Sequence, residues 1–268
     1  MNISGSTVLI TGASGGIGGA IARELAWRGA SLILVNRDGD RLERLATELR
    51  GSGGKVMALT GDIAQPGMPA RLIEQALEQA GTIDILINCA GVQNFGFFAQ
   101  ERAADTAMLF QVNTIAPIAL VNAVLPHMLA RGTGKIVNVG SIFGSIGFPC
   151  FASYSASKFA LRGFSEALRR ELAGTGVGIT YVAPRFTKTA FNRNVVARMA
   201  NALKMNQDEP ESVAASVIAT IERDDRERYL GWPEKLFVRI NSILPRLVDP
   251  SLIKQAALMR PFATESTR

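Results

Sequence analysis

The amino-acid sequence predicts an α/β fold, one domain built on a doubly wound parallel sheet. Three observations carry that expectation. Short apolar, β-rich runs alternate with stretches of helical periodicity through six repeats, and parallel neighbours in a sheet need a helical crossover between them. The run at 83–87, Ile-Asp-Ile-Leu-Ile, is apolar almost throughout, the pattern of a strand buried on both faces. No linker, low-complexity tract or internal repeat divides the alternating region.

Composition narrows the class. The chain has 268 residues, 47% hydrophobic and 19% charged, enough apolar material for a buried core and too much for a disordered chain. Its two cysteines, Cys89 and Cys150, form no disulfide framework, which points to a reducing, cytoplasmic setting. An apolar strand beginning by about Thr7 leaves no room for a signal peptide. No uninterrupted apolar run reaches the roughly 20 residues of a membrane helix. No metal-ligand spacing is present, and nothing points to nucleic acid. Net charge is +6, and its placement matters more than its size: no acid lies between Glu171 and Asp208, a window holding Arg185, Lys188, Arg193, Arg198 and Lys204. That window is either a solvated basic face or a docking surface for an anion, an acidic carrier protein or an acidic membrane.

Taken in order, residues 7–10 form a strand that runs straight into Thr11-Gly-Ala-Ser-Gly-Gly-Ile-Gly18, and residues 20–27 read as helix. Strand, glycine turn and helix N-terminus are what a dinucleotide pyrophosphate needs: close backbone approach, N–H donors and a positive dipole end. Gly12, Gly16 and Gly18 carry most of that weight, with Ser14 and Ile17 in the same turn. The second strand, 31–35, ends in Asn36-Arg37. An acid there would bind the adenosine-ribose hydroxyls of NAD; an amide followed by a cation suits a 2′-phosphate, so NADP(H) is expected. Residues 40–50 read as an amphipathic helix and 51–54 as its terminating loop.

A third strand at 55–60 leads to Asp62-Ile63, where the acid either accepts from an adenine amino group or caps the next turn. After a helix around 70–79 and the strand at 83–87 comes Asn88-Cys-Ala-Gly91, small enough for backbone to lie beside a cofactor. Cys89 reads as a packing residue. The helical region 105–129 carries Asn113, a poor helix former in an apolar context. It also holds the single histidine, His127 beside Pro126, which reads as a surface residue. The strand at 135–139 ends in Gly140-Ser141. Tyr154 and Lys158 open the next helix, and 178–182 is the sixth strand, before Pro184. Tyr154 and Lys158 are four apart and share a helix face; an ammonium beside a phenol favours its ionised form, and Ser141 is placed to hold an oxygen that Tyr154 protonates.

Thr11-Gly-x-x-x-Gly-x-Gly18, Asn88-x-Ala-Gly91, Asn113, Ser141 and Tyr154-x-x-x-Lys158 occur in the order and spacing of the short-chain dehydrogenase/reductase family, which the chain resembles over about residues 5–190. The resemblance implies a Rossmann-like fold and hydride transfer with a nicotinamide cofactor. It implies Tyr154 as general acid/base, Ser141 orienting the substrate oxygen, and Lys158 lowering the tyrosine pKa and holding the nicotinamide ribose, while Asn113 anchors a water of the proton relay. It makes Gly12, Ser14, Gly16, Ile17, Gly18, Arg37, Asp62, Ile63, Asn88, Ala90, Gly91, Tyr154, Lys158, Pro184, Thr187 and Thr189 the expected cofactor contacts.

Two departures stand out. The family usually has Pro-Gly after the sixth strand; here Pro184-Arg185 stands there, and Arg185 is free to reach toward cofactor or substrate. Residues 227–230 read as a last strand, but Gly231-Trp-Pro-Glu replaces the turn that supports tetramers, so a homodimer is expected before a tetramer. We therefore divide the chain into a dehydrogenase domain, 1–231, and a helical extension, 232–268. In the extension Leu236, Ile240, Ile243, Leu244 and Leu247 repeat at helical spacing with Lys235, Arg239 and Arg246 off the stripe, and Pro245 should kink or end the helix. The stripe packs on its own domain, on a sister subunit or on a membrane surface; family members acting on steroids and lipids, some attached through such segments, are similar here.

Phenylalanines gather in three loops after strand ends: Phe95, Phe97 and Phe98; Phe143, Phe148 and Phe151; Phe186 and Phe191, with Met199. They imply an apolar substrate pocket in which Ser141, Phe143, Phe148, Tyr154, Phe186 and Phe191 touch the substrate. The expected function is an NADPH-dependent carbonyl reductase for a hydrophobic ketone, sterol or acyl chain. A 3-oxoacyl-thioester reductase acting on coenzyme A or carrier-protein substrates, and a dinucleotide-binding scaffold without turnover, are the alternatives.

Overall fold

The computed structural model describes residues 2–51, 55–192 and 194–266. Its centre is a seven-stranded sheet, every pairing parallel, in the order β3-β2-β1-β4-β5-β6-β7. The strands are β1 (Thr7–Thr11), β2 (Ser31–Asn36), β3 (Val56–Thr60), β4 (Ile85–Asn88), β5 (Gly134–Val139), β6 (Val177–Ala183) and β7 (Glu227–Tyr229). β1, β4 and β5 are buried along their whole length, as central strands covered on both faces must be. Order reverses between β1 and β4, and ligands of open α/β sheets lie outside the carboxyl ends at such a point.

Two apolar layers cover the sheet. One is α1 (Gly16–Trp27), α2 (Gly39–Gly51) and α8 (Pro210–Glu222), burying Ile21, Leu25, Leu42, Leu45, Val217 and Ile218 against Ile10, Leu34 and Val137. The other face takes α3 (Met68–Ala80), α5 (Ala116–Arg131) and α6 (Ala152–Glu171), with Leu72, Leu120, Val124 and Leu168 against Leu9, Ile33 and Ile136. Most of the loop expected at 51–54, and Arg193, lie outside the described residues.

The helical region expected at 105–129 is not one α-helix. α4 (Ala103–Phe110) passes into a single π-turn, Gln111–Ile115, before α5. The combined Ala103–Arg131 segment is long and apolar enough to cross a membrane by length and composition, but half of it is buried inside this fold and supplies the core residues named above. His127 is half-buried, its Nε2 without a hydrogen-bond partner among the described residues.

Beyond Gly231 the chain forms α9 (Glu234–Ile243) and α10 (Pro245–Ser266), with α7 (Asn194–Ala202) beneath α10. Pro245 ends one helix and opens the next; its fixed φ and missing N–H suit a first helical position. Most of the stripe faces outward, with Ile240 half-buried. Ile243 is 76% and Leu247 67% exposed, with Leu236 and Leu244 also exposed. Val238 and Val248 make the inward contacts instead, both buried.

Candidate active site

Because all seven strands are parallel, their carboxyl ends open on one edge, and there a cavity of about 740 Å³ runs from the glycine turn to α10. At its first end the backbone of β1 and β4 must nearly touch. Gly12 has φ +68°, and a Cβ on it would lie 2.7 Å from the Ala90 Cα. One on Gly18 would meet the Gly12 carbonyl at 2.2 Å, and one on Gly16 would meet the Thr189 side chain at 2.4 Å. The turn therefore tolerates only glycine at these positions. Thr11 ties it to the next loop, its Oγ1 accepting from Cys89 N at 3.2 Å and Ala90 N at 3.3 Å.

Ser14, Ile17, Arg37, Asp62, Ile63, Ala90, Gly91, Pro184, Thr187 and Thr189 line the cavity together with the three glycines. Asn36 Nδ2 donates to Ser14 Oγ at 2.6 Å, so the end of β2 is fastened to the glycine turn. Arg37 is exposed, and neighbouring Arg41 pairs with Asp38 at 3.3 Å; among the described residues no hydrogen bond or ion pair occupies the Arg37 guanidinium. Asp62 Oδ1 accepts from Ala64 N at 3.0 Å, the turn-capping role. Asn88 is set apart from this group. It does not line the cavity; buried between β4 and β5, it donates from Nδ2 to Asn138 Oδ1 at 2.9 Å, and Asn138 in turn to Ser165 Oγ at 2.8 Å.

At the middle of the cavity stand Ser141, Tyr154 and Lys158. Ser141 follows β5 and caps a short 3₁₀ turn, its Oγ accepting from Phe143 N at 3.1 Å. Its backbone is held from below by Tyr181, whose hydroxyl donates to the Ser141 carbonyl at 3.1 Å and accepts from Ser141 N at 3.2 Å. Tyr181 went unread in the sequence because a buried strand tyrosine has no local mark of its function. Burial pushes the Tyr154 phenol up to about 12, against a smaller opposing effect of the Ser141 hydroxyl. The depression expected from Lys158 does not appear. Its Nζ lies 5.8 Å from the Tyr154 ring centroid and donates to the Val139 carbonyl at 3.3 Å, and burial draws its own pKa down to about 8. The Cys89 thiol beside it is pushed up to about 12 by burial, so it stays neutral.

Asn113 lies behind the cavity wall, fully buried in the π-turn. Its side chain is tied to the loop after β4 and to Ser157, to which Nδ2 donates at 3.1 Å; both amide hydrogens are used there, while Oδ1 keeps a second lone pair.

Aromatic rings close the other end. Phe143 stacks on Phe148 at 4.4 Å and meets Tyr154 edge-on at 6.2 Å, while Phe191 lies 6.5 Å from Tyr154. Phe151, Phe186 and Met199 also line this region, but Phe95, Phe97 and Phe98 do not; Phe95 packs on Phe151 from behind, and Phe98 is exposed. The roof is Phe237 of α9 with Val248, Leu252 and Gln255 of α10, residues with no motif to mark them.

Among the described residues of the basic third loop, Arg185, Lys188 and Arg198 are paired with acids, while exposed Lys204 lines the cavity. Arg185 forks onto Asp208 at 2.8 and 3.0 Å and reaches Glu234 at 3.0 Å, which pins α9 to the end of β6, and Arg185 also lines the cavity. Lys188 pairs with Glu209 at 2.5 Å, and Arg198 with Glu265.

The model of the short chain dehydrogenase family matches residues 6–200. Among curated proteins, the chain is 34% identical over 253 residues to ketoacyl reductase HetN of Nostoc sp., covering 92% of this chain and 88% of that one. It is 34% identical over 220 residues to oxidoreductase UcpA of Escherichia coli, covering 82% and 81%. Among solved structures, a short-chain dehydrogenase from Sphingobium yanoikuyae in complex with NADPH superposes with a TM-score of 0.78 at 32% identity, covering 93% of this chain and 95% of that one. A short-chain dehydrogenase/reductase from Burkholderia phymatum in complex with NAD gives 0.85 at 27% identity, covering 92% and 96%.

Proposed function

Since the chain belongs to the short-chain dehydrogenase/reductase family and is an NAD(P)-dependent oxidoreductase, we propose that it reduces the carbonyl of a hydrophobic substrate with NADPH. One observation carries this reading: Ser141, Tyr154 and Lys158 share a single cavity with the glycine turn at one end and an aromatic wall at the other. The turn fits a dinucleotide, for the space a Cβ would fill at Gly12 and Gly16 is bounded by backbone and by Thr189. Arg37, with no carboxylate on it, suits the 2′-phosphate. Bound NADPH would supply the hydride.

The protein's own residues do the rest. Ser141 holds the carbonyl oxygen, and Tyr154 gives it a proton as negative charge develops there. A phenol whose pKa burial raises to about 12 is fully protonated near neutrality, as a donor must be. Lys158, buried beside Gly91, places a positive charge near the cofactor ribose. Phe143, Phe148, Phe186 and Phe191 exclude water and favour an apolar substrate.

The name of the Nostoc relative favours a 3-oxoacyl-thioester as a second reading. The pairing of Arg185, Lys188 and Arg198 with acids weighs against the third loop gripping an acidic carrier. NADPH oxidation by the purified protein, measured across aromatic ketones, alicyclic ketones, 3-oxoacyl thioesters and sugars, tests both readings. Turnover confined to hydrophobic ketones and lost by at least about 10²-fold in Tyr154→Phe is the expected result. Turnover confined to thioesters selects the second reading, and no turnover at all rejects both.

A further inference from the structure

Between Glu171 and Asp208 the chain carries cations and no acid, and the fold commits most of them. Arg185, Lys188 and Arg198 are paired with acids from other segments. Lys204 is different: among the described residues no hydrogen bond or ion pair occupies its ammonium, and it is exposed where it lines the cavity. An exposed residue of a cavity wall stands at the mouth. Here it is the mouth of the substrate end, because Leu203 and Met205 on either side are half-buried in the cluster of Phe151, Tyr154 and Met199. The acids lining the cavity do not answer the charge. Glu234 holds Arg185 with Oε2 and Asn206 with Oε1, and Asp38 and Asp62 follow β2 and β3 at the glycine-turn end.

The backbone supplies a second observation. Lys204 follows α7 in the left-handed region, with φ +50°. Its N–H donates to the Asn201 carbonyl at 3.1 Å, and that of Met205 to the Ala200 carbonyl at 2.9 Å. That is a Schellman cap, whose left-handed position goes by default to glycine because a Cβ is penalised there. A long side chain kept against that penalty, with its head group free and a cavity beside it, points to a ligand.

We propose that Lys204 is a specificity-determining residue that binds an anionic group of the substrate at the cavity mouth, while Ser141 and Tyr154 hold its carbonyl within. The inference rests on the carbonyl-reductase reading above and narrows its substrate class to hydrophobic ketones whose far end carries a carboxylate or a phosphate. A lysine offers a point charge and three donors on a flexible stem, so it meets either anion without a fixed geometry. The aromatic wall takes the apolar middle of such a molecule. The carboxylate is that of a keto acid; the phosphate is that of a coenzyme A thioester.

The test measures kcat/KM for two substrate pairs in the wild type, Lys204→Gln and Lys204→Arg. One pair is 4-benzoylbutyrate and its neutral primary amide; the other is acetoacetyl-coenzyme A and the neutral acetoacetyl thioester of N-acetylcysteamine. The wild type prefers the anionic member of a pair, Lys204→Gln lowers that preference about fivefold, the upper value of one exposed charge pair, and Lys204→Arg keeps it. The change lies in KM, since the group does not act on the reacting carbonyl, and the preference narrows as salt screens the contact. A preference in the first pair assigns the carboxylate, and one in the second the phosphate. Thermal melting of Lys204→Gly supplies the second readout: Tm is kept or raised, because glycine suits the left-handed cap. No preference in either pair, or a preference that Lys204→Gln leaves unchanged, overturns the inference and leaves the reading of the site standing. A lowered Tm in Lys204→Gly, with equal losses on both members of each pair in Lys204→Gln, also overturns it, since the lysine then serves the helix end. Failure on all four compounds by a wild type that reduces other ketones overturns it too. Failure on the wider ketone panel as well brings down the site reading and this inference with it.

Discussion

Asn113 grips Val92 by both of its main-chain polar groups: Oδ1 accepts from Val92 N at 2.9 Å and Nδ2 donates to the Val92 carbonyl at 2.8 Å. The clamp joins the π-turn to the loop that follows β4, and so sets the position of Gly91, whose Cα would carry a Cβ only 3.3 Å from Asn113 Oδ1 and 3.7 Å from Lys158 Nζ. Asn113→Ala leaves the Val92 N–H and C=O unpaired, at a cost of about 1–3 kcal/mol for each group that stays buried. The expected outcome is a lower Tm together with weaker NADPH binding, read by thermal melting and cofactor titration. Loss of turnover with Tm and cofactor affinity intact would instead assign Asn113 to proton transfer alone.

Lys158 gives a pH dependence with a definite sign. Burial lowers its folded pKa from 10.5 to about 8, so between those values the unfolded chain holds a proton that the folded chain has lost. Stability then rises with pH across that window, and below about pH 8 the buried ammonium weighs against the fold. Lys158→Met should raise Tm at pH 7 by about 2 °C or more while abolishing turnover. In the wild type kcat/KM for NADPH, which reports the free enzyme, should fall as pH rises through about 8 while Tyr154 stays protonated. A profile flat through that region, or a Lys158→Met protein that melts lower, rejects the assignment.

Arg37 decides between the two nicotinamide cofactors. A guanidinium on a phosphate is a charge-assisted contact of roughly 1.5–3 kcal/mol, and about 1.4 kcal/mol is tenfold in affinity. Arg37→Ala should weaken NADPH binding at least about tenfold and leave NADH nearly unchanged, as measured by fluorescence titration of both. Equal losses, or a wild type preferring NADH, would refute it.

The sheet was legible because each signal was local. Continuous apolar runs such as 83–87 can be satisfied only inside a sheet covered on both faces, and the glycine turn sits directly between a strand and a helix. Tertiary commitments were not legible. Arg185 read as a cation free to meet a ligand, yet its partners Asp208 and Glu234 come from distant segments. The π-turn at 111–115 has no period in the sequence that distinguishes it from α-helix. In the C-terminal segment the most regular stripe is not the one packed on the domain; Val238 and Val248, which lie off it, are what pack inward.

That outward stripe sets the last prediction. Trp232, Leu236, Phe237, Ile243, Leu244 and Leu247 are all exposed on one side of the cavity roof, a patch larger than scattered surface apolar residues make. Lys235, Arg239 and Arg246 flank it, all exposed; of the acids at its two ends, Glu234 is paired with Arg185 and Asp249 is exposed. A second copy docking face to face would bring like charges together, whereas an anionic lipid surface complements them at about 1 kcal/mol per charge. Phe237 belongs both to the patch and to the cavity lining. The purified protein should float with vesicles containing phosphatidylserine, less so as salt screens the attraction. Leu244→Glu with Leu247→Glu should abolish flotation while leaving reduction of a water-soluble ketone intact. No flotation by the wild type, with a light-scattering mass that halves in the double variant, would assign the face to a sister subunit instead.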